Sequence, residues 1–253
     1  MPVVRSAQNW GACNLPATPR LADLTDPSAL RKALADATHV VSTAHARHAQ
    51  AILAAAPAAA KFIFLGSTRK FTRFPDAHAR GVLAGEATFL ASGRPGVMLH
   101  PTMIYGAQGE DNVQRLAALL RRLPFVPLPG GRRALVQPIH QSDVTRAMLA
   151  ALARDWAGPT TLVIAGPNPL AYADFVRAVA AAAHLAPPRI ISVPATLLLA
   201  AAPLTRLPFV PRVRRSEIRR LLEDKTFSIA PMREHLGVEP LRLADGLGRT
   251  FGS

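Results

Sequence analysis

The chain has 253 residues, enough for one large domain or for one domain with a smaller lobe. Hydrophobic residues make up 49% of the chain and charged residues 18%, which excludes an intrinsically disordered protein. The single cysteine, Cys13, excludes an internal disulfide, and no secretion signal opens the sequence. The longest apolar run, 195–204, is too short to span a membrane. Together these features predict a packed, cytoplasmic protein.

The formal net charge is +14, and arginine supplies nearly all of it. Two interpretations stay open: an arginine surface that attracts anionic ligands, or charge spread over solvated helix faces. Basic residues cluster in Arg206–Arg220, but no aromatic stacking motif or zinc spacing accompanies them. We therefore expect no nucleic-acid partner, and we leave open a contact between this segment and a membrane surface.

Strand patterns alternate with helix patterns through the first two thirds of the chain. Asp26 and Pro27 form an N-cap with proline at the first helical position, and Leu30, Leu34 and Ala37 follow at helical spacing. This alternation is typical of a parallel sheet with helices on both faces. The predicted strands are 39–43, 61–65, 96–100, 134–139 and 160–164, and the predicted helices between them are 46–56, 78–91 and 143–154.

The pattern changes after Gly166, where helices predominate. They are predicted at 171–184, 195–204, 214–223 and 243–250, and prolines separate several of them. We expect a Rossmann-like domain over 1–166, followed by a smaller, mostly helical lobe over 167–253 that lies on the substrate side.

Polar residues follow several of the predicted strands. In an open α/β sheet, ligands bind outside the carboxyl ends of the strands, so such residues gather at one edge. The alternative is that the Ser and Thr residues simply cap the helices that follow. The segments concerned are Asp23–Leu24, Thr43–His45, Ser67–Thr68 and Pro101–Gly106.

These segments also carry a family resemblance. The chain resembles the extended and atypical short-chain dehydrogenase/reductases, which include nucleotide-sugar epimerases and dehydratases and the NmrA-like branch. The match runs from about Arg20 to Thr250. Its motifs are LTDP at 24–27, VVSTA at 40–44, FLGST at 64–68, PTMIYG at 101–106, QPIHQSD at 137–143 and LGVEP at 236–240.

The resemblance implies a Rossmann-like fold that binds NAD or NADP. Asp23 would accept a hydrogen bond from the adenine amino group, and Met1–Arg5 resembles the family's second strand. Arg5 would then hold a 2′-phosphate and favour NADP, although it could equally be an ordinary exposed residue. The implied cofactor-binding residues are Arg5, Asp23, Leu24, Thr43, Ala44, Ser67, Pro101, Thr102 and Ile104.

The N-terminus departs from the family pattern. Arg20–Pro27 matches the end of a third strand running into a helix, yet only about 20 residues precede it. That is too few for a strand, a glycine-rich phosphate loop, a helix and a second strand, so we expect the central strand of the sheet to be missing. Residues 2–5 should then lie beside the strand Val40–Ser42 or one position away from it, with the strand near Arg20–Leu24 loosely held.

The catalytic positions depart as well. The family's tyrosine corresponds to His78 and its lysine, four residues later, to Val82, while Ser67 matches the serine that orients a substrate carbonyl. His78 could act as an acid or base near neutral pH, or it could be a solvated residue at a helix start. Tyr105 is expected to be structural.

Three functional hypotheses follow. The first is an NAD(P)-dependent oxidoreductase or an epimerase/dehydratase-like enzyme acting on a small or nucleotide-linked substrate. The second is a non-catalytic dinucleotide-binding sensor or accessory protein, which the loss of the tyrosine and lysine favours. The third is a truncated gene product with no function of its own.

Other polar and glycine positions are expected to be structural. His45 and His48 are interpreted as solvated and not as metal ligands, so we predict no metal site. Gly81 and Gly85 should allow close packing of a helix against a neighbour. His140 and Asp143 match a family pair that closes the sheet and caps the next helix.

Overall fold

The computed structural model describes residues 1–107, 112–123, 125–129, 134–201, 219 and 222–252. Its helices alternate with short strands along most of the chain, as the sequence predicted. The helices are α1 Ala7–Gly11, α2 Pro27–Leu34, α3 Ala49–Ala55, α4 Ala77–Ala91, α5 Asn112–Arg122, α6 Gln141–Leu152, α7 Tyr172–Ala182, α8 Ala195–Ala201, α9 Ala230–Leu236 and α10 Leu243–Phe251, with 3-10 turns at Ala46–His48 and Thr68–Phe71.

The strands are β1 Val3–Val4, β2 Arg20–Leu21, β3 His39–Ser42, β4 Lys61–Leu65, β5 Gly96–Pro101, β6 Ile104–Tyr105, β7 Phe125–Pro129, β8 Leu135–Val136, β9 Ile139–His140, β10 Pro159–Ile164, β11 Leu170–Ala171 and β12 Arg189–Val193. Four of them form the central sheet, in the order β10-β5-β4-β3. Strand β3 pairs in parallel with β4, and β4 pairs in parallel with β5. The predicted Rossmann-like parallel sheet is therefore confirmed.

The middle of the sheet is built from continuous apolar runs, the pattern of strands covered on both faces. Phe62, Ile63 and Phe64 are buried in β4, and every residue of β5 is buried. Gly96 begins β5 with a φ of +148°, and a Cβ there would collide with the carbonyl oxygen of Phe62. Only glycine combines that backbone angle with so close an approach of two strands.

The N-terminal strands form a separate small sheet. Strand β1 pairs in parallel with β2, with Val3 opposite Arg20, and neither strand is hydrogen-bonded to the central sheet in the described part of the chain. Residues 3–4 are thus not paired with Val40–Ser42, and the placement one position away from that strand stays a prediction. Helix α1, which the sequence did not predict, connects β1 to β2 after the N-cap Ser6.

The chain divides into two compact units that interleave along the sequence. The first comprises Met1–Gly66, Arg80–Leu99 and Ala151–Leu162, and the second comprises Ser67–Ala79, His100–Ala150 and Val163–Ser253. Leu30, Val40, Phe62, Phe64 and Phe89 belong to the core of the first unit. The core of the second unit includes Tyr105, Val113, Ala117, Phe175 and Val179. The boundary at residue 166 stays a prediction.

The second unit contains strands that the sequence did not indicate. Strand β12 pairs in parallel with β7 over five residue pairs, and β11 pairs antiparallel with β8. The single strand predicted at 134–139 is wrong: it is two strands, β8 and β9, separated by Gln137 and Pro138. The two strands pair with different partners, β8 with β11 and β9 with β6, and between them the Gln137 side-chain amide donates to the carbonyl oxygens of Gly166 and Phe227 and accepts from the Phe227 N–H.

Two sequence predictions fall largely outside the described residues. The helix predicted at 214–223 and the basic segment Arg206–Arg220 are described only at Arg219, Leu222 and Glu223. Among the helices that the structure describes, none is both long enough and apolar enough to cross a membrane.

Candidate functional site

A large cavity opens in the first unit between β1 and β3. Its volume is about 1250 Å³, and its walls include Leu30, Leu34, Val40 and Ile52. Five of the nine predicted cofactor-binding residues line it: Arg5 after β1, Asp23 and Leu24 after β2, and Thr43 and Ala44 after β3. The carboxyl ends of three strands therefore contribute to one cavity, as expected for a ligand site in an α/β sheet.

Asp23 is held in a fixed orientation by its own turn. Its Oδ1 accepts from the Thr25 N–H at 2.8 Å and from the Thr25 hydroxyl at 2.6 Å. These hydrogen bonds, the side-chain one first, lower the pKa of Asp23, and the charges of Arg5 and His48 lower it further. The carboxylate is thus ionised at neutral pH, and Oδ2 accepts no hydrogen bond from any described residue.

The loop after β3 is packed tightly against α4. His45 Nδ1 accepts from the Arg47 N–H at 3.1 Å and caps the 3-10 turn that begins at Ala46. A Cβ on Gly85 would collide with the carbonyl oxygen of Ala46, and one on Gly81 would approach the His45 ring. The prediction that these two glycines serve close packing is confirmed. Within the described residues, no group of three or more His, Cys, Asp or Glu side chains could hold a metal ion.

The other four cofactor candidates, with both catalytic candidates, lie in the second unit. The Ser67 hydroxyl accepts from the Arg69 N–H at 3.1 Å and caps the 3-10 turn Thr68–Phe71. The Ser67 N–H donates to His100 Nδ1 at 3.1 Å, and Lys70 Nζ lies 3.4 Å from His100 Nε2. His100 is fully buried.

Neither His100 nor Lys70 was among the site residues predicted from the sequence. His100 could have been recognised because it falls near the carboxyl end of a buried strand, just before the segment 101–106. A buried histidine that accepts a backbone hydrogen bond positions the turn after β4, and it does so through the Ser67 amide and not through its hydroxyl.

His78 is the second residue of α4 and is half-buried. The turn before it is held by Asp76, whose Oδ1 accepts from the Ala79 N–H at 3.0 Å and whose other oxygen pairs with Arg69. Val82, which the family resemblance aligns with a lysine, is 1% exposed and belongs to the hydrophobic core of the first unit. Val82 is therefore a packing residue.

The segment after β5 supplies the remaining candidates. Pro101 and Thr102 are buried, and the Thr102 N–H donates to the Ile164 carbonyl at 3.0 Å. Thr102 Oγ1 is buried without a hydrogen-bond partner among the described residues. Ile104 is half-buried in β6, and its carbonyl accepts from Asn112 Nδ2 at 2.5 Å. Of Pro101, Thr102 and Ile104, only Thr102 has a side-chain atom, Oγ1, that could form a hydrogen bond with a ligand.

Tyr105, His140 and Asp143 form a structural group in the second unit. Burial, followed by the charges of Asp143 and Asp245, raises the pKa of Tyr105, and burial lowers the pKa of His140. His140 Nδ1 accepts from the Ser142 N–H at the start of α6, and its ring packs edge-on against Tyr105. The fully buried Asp143 accepts from the Leu241 N–H at 2.9 Å. An unionised Tyr105 and a neutral His140 suit packing and capping.

No protein-family model matches the chain, and no curated protein matches it. Many solved structures do. A nucleoside-diphosphate-sugar epimerase from Pseudomonas aeruginosa aligns with 99% of this chain and 87% of its own, at 19% identity and a TM-score of 0.72. An NADPH-dependent quinone oxidoreductase from Escherichia coli, complexed with NADPH, aligns with 98% of this chain and 89% of its own, at 17% identity and a TM-score of 0.71.

A double mutant of dTDP-glucose 4,6-dehydratase from Streptomyces venezuelae, with NAD bound, aligns with 98% of this chain and 83% of its own, at 14% identity and a TM-score of 0.70. At such identities the likeness establishes the fold and no more. The chain has the Rossmann-like fold of these epimerase, dehydratase and reductase structures.

Proposed function

We propose that the chain binds a nicotinamide dinucleotide, with the adenosine half in the cavity of the first unit. The observation that carries this proposal is that Arg5, Asp23, Leu24, Thr43 and Ala44 all line that one cavity. The ionised Asp23, with Oδ2 available, suits the amino group of an adenine. The residues present fit adenine and ribose; for the pyrophosphate, the sequence contains neither a Gly-x-Gly-x-x-Gly nor a Gly-x-x-Gly-x-x-Gly motif.

NADP is the preferred form of the cofactor in this proposal. Arg5 is exposed at the mouth of the cavity and close enough to Asp23 to lower the pKa of that carboxyl. A guanidinium there can bind a 2′-phosphate through two parallel hydrogen bonds.

The reaction we propose is oxidation–reduction, or epimerase/dehydratase-like chemistry, on a small or nucleotide-linked substrate. Support comes from the shared fold, which in the solved structures carries a sugar epimerase, a sugar dehydratase and a quinone reductase. Ser67 and His78 are the proposed catalytic residues, and Pro101, Thr102 and Ile104 would lie beside the nicotinamide. When bound, the cofactor supplies hydride transfer; His78 would hold or release a proton at its imidazole.

A second candidate is a dinucleotide-binding protein without catalysis. Two observations favour it: Val82 is a core residue where a lysine would be needed, and the Ser67 hydroxyl is engaged as a helix cap. Such a protein would respond to the redox state of the nucleotide without converting a substrate.

Calorimetric titration with NADPH and NADH tests the cofactor proposal. Arg5→Ala should weaken NADPH binding by about tenfold or more, because a hydrogen bond to a charged group is lost, and should leave NADH binding unchanged. Asp23→Asn should weaken the binding of both cofactors. The amide would place an N–H donor against the adenine amino group, which is itself a donor. Arg31→Ala, a charge removed from the exposed side of α2, is the control. Equal effects of the two arginine substitutions would contradict a 2′-phosphate role for Arg5.

A further inference from the structure

Strands β7 and β12 form a two-stranded parallel sheet in the second unit, and described residues cover only one of its faces. Val126 and Leu128 of β7 are buried against Ala173 and Val176 of α7, and Ile190 of β12 packs against the same cluster. Successive side chains of a strand point to opposite faces, so the residues that alternate with these point away from the cluster. This outer face is formed by Phe125, Pro127, Arg189 and Ile191.

The outer face exposes large apolar side chains, although they belong to strands. Phe125 is 42% exposed and Ile191 is 46% exposed, and the register places Pro127 beside Ile191. Helix α8 follows β12 after a single residue; none of residues 195–200 is buried, and Leu197 is 60% exposed. Exposed apolar side chains thus continue along the chain from the sheet into the helix. On a water-soluble surface, apolar groups that adjoin in this way mark a site of interaction with a protein or a membrane.

Basic residues flank the outer face. The register places Arg189 beside Phe125, and the exposed Arg121 and Arg122 end α5 just before that strand. Residues 112–129 and 185–201 together contain four arginines and no aspartate or glutamate. Guanidinium groups beside apolar side chains suit an anionic lipid surface, because the charges attract the headgroups while the apolar side chains enter the boundary between headgroups and acyl chains.

Other classes of partner fit this face less well. Two of the five residues of β7 are prolines, which have no N–H, so a strand of a partner protein would find few hydrogen-bond donors on β7. A single-stranded nucleic acid would need several aromatic side chains on which its bases could stack, and Phe125 is the single aromatic residue of the outer face. Charge and apolar exposure together therefore favour lipid.

We propose that the outer face of the β7–β12 sheet binds the surface of a membrane that contains anionic phospholipids. Phe125 and Ile191 enter the headgroup boundary together with Leu197 of α8, while Arg121 and Arg122 bind lipid phosphates. These residues are separate from those assigned to the cofactor. The inference goes beyond nucleotide binding, and it is tested with no nucleotide present.

Co-sedimentation of the full chain with lipid vesicles is the test. The chain should bind vesicles of phosphatidylcholine and phosphatidylglycerol, should not bind vesicles of phosphatidylcholine alone, and should dissociate as salt is added. The double substitution Arg121→Gln with Arg122→Gln should weaken binding by about tenfold or more, because each basic residue near an anionic surface contributes about fivefold. Leu197→Gln should weaken binding by about fivefold, since it removes an apolar group that enters the lipid.

The chain offers a matched control for each substitution. Arg31 and Lys32 form a basic pair in the last turn of α2, as Arg121 and Arg122 do in α5, so their double substitution by Gln removes the same charge elsewhere. Leu149 of α6 is 61% exposed, so Leu149→Gln matches Leu197→Gln. Both controls should bind vesicles as the unsubstituted chain does. Circular dichroism should show the same spectrum for all four variants, because every substituted residue is exposed.

Three results would overturn the proposal. The first is no binding to the anionic vesicles. The second is an equal loss of binding in the test and control variants, since the net charge of +14 and not the outer face would then cause the attraction. The third is binding of a short DNA duplex as tightly as the vesicles with the same dependence on Arg121 and Arg122, which would identify a nucleic-acid surface instead.

Discussion

Individual side chains in this molecule often serve a local role that the sequence motif alone does not reveal. The family resemblance assigns Ser67 a substrate-orienting role, yet its hydroxyl accepts from the Arg69 amide, and its own amide donates to the buried His100. Val82, which the family resemblance aligns with a lysine, is part of the core. A motif defines only the residue types and their spacing. The hydrogen-bond partners of Ser67 depend instead on the 3-10 turn that follows β4.

His78 is the residue whose role is most open to a direct test. If the protein is an enzyme, His78→Phe should lower turnover by at least about tenfold, the lower end of a general acid–base contribution. Turnover is measured on whichever member of a panel of quinones and nucleotide sugars the unsubstituted protein converts. His78→Gln is the matched variant, because it keeps a polar side chain that cannot exchange a proton near neutral pH.

The two substitutions separate a proton-transfer role from a positional one. Loss in both variants, together with a changed pH profile, agrees with acid–base catalysis. Full activity in both would contradict it and favour a dinucleotide-binding protein without catalysis.

At the scale of elements, α4 depends on two glycines that face the loop after β3. Gly85 lies against the Ala46 carbonyl, which is backbone and cannot move aside, whereas Gly81 lies against side-chain atoms of His45 and Arg47, and the His45 ring can shift only by loosening its cap on the Arg47 amide. The two positions are one turn apart in the same helix, so they differ mainly in what an added methyl group meets.

Gly85→Ala should therefore lower the free energy of unfolding. Overpacking costs about 1–3 kcal/mol, and the higher helix propensity of alanine offsets about 1 kcal/mol of that cost. Gly81→Ala should destabilise less than Gly85→Ala, because the atoms it meets belong to side chains and not to the backbone. Urea unfolding of both variants provides the measurement. A Gly85→Ala variant as stable as Gly81→Ala would mean that α4 does not pack as closely as the structure has it.

At the scale of the whole molecule, the first unit contains a cofactor-sized cavity and no phosphate-binding loop. A dinucleotide pyrophosphate normally rests on the amides of a glycine-rich turn at a helix N-terminus. Helix α1 has five residues and begins after Ser6, with no glycine in the turn that precedes it. In the proposed binding mode the first unit supplies contacts for the adenine end of the cofactor, and its described residues offer no glycine-rich turn at a helix N-terminus for the pyrophosphate.

The chain should consequently bind NADPH only weakly, with a dissociation constant well above micromolar. Calorimetry with NADPH provides the measurement, and 2′,5′-ADP, which carries the adenine and the 2′-phosphate without a pyrophosphate, is the comparison ligand. The affinity for NADPH should exceed that for 2′,5′-ADP only by what the nicotinamide end contributes, since the pyrophosphate adds little. A submicromolar affinity for NADPH would contradict this expectation.

Local sequence determined most of the elements of this protein. The apolar run Lys61–Leu65, the cap at Asp26–Pro27 and the periodicity of the helices at 77–91 and 172–182 were recognisable because each depends on neighbouring residues. The pairing of β7 with β12 and the break between β8 and β9 were not, since both depend on partners far along the chain.

The candidate site divides in the same way. The sequence by itself determined that Arg5, Asp23, Leu24, Thr43 and Ala44 follow strands of an α/β sheet, because strand ends are a local property. Only the tertiary structure decided that these residues share one cavity, that β1 pairs with β2 and leaves its other edge open, and that His100 supports the Ser67 turn. Those relations are contacts between distant segments, and their geometry is set by packing of the whole unit.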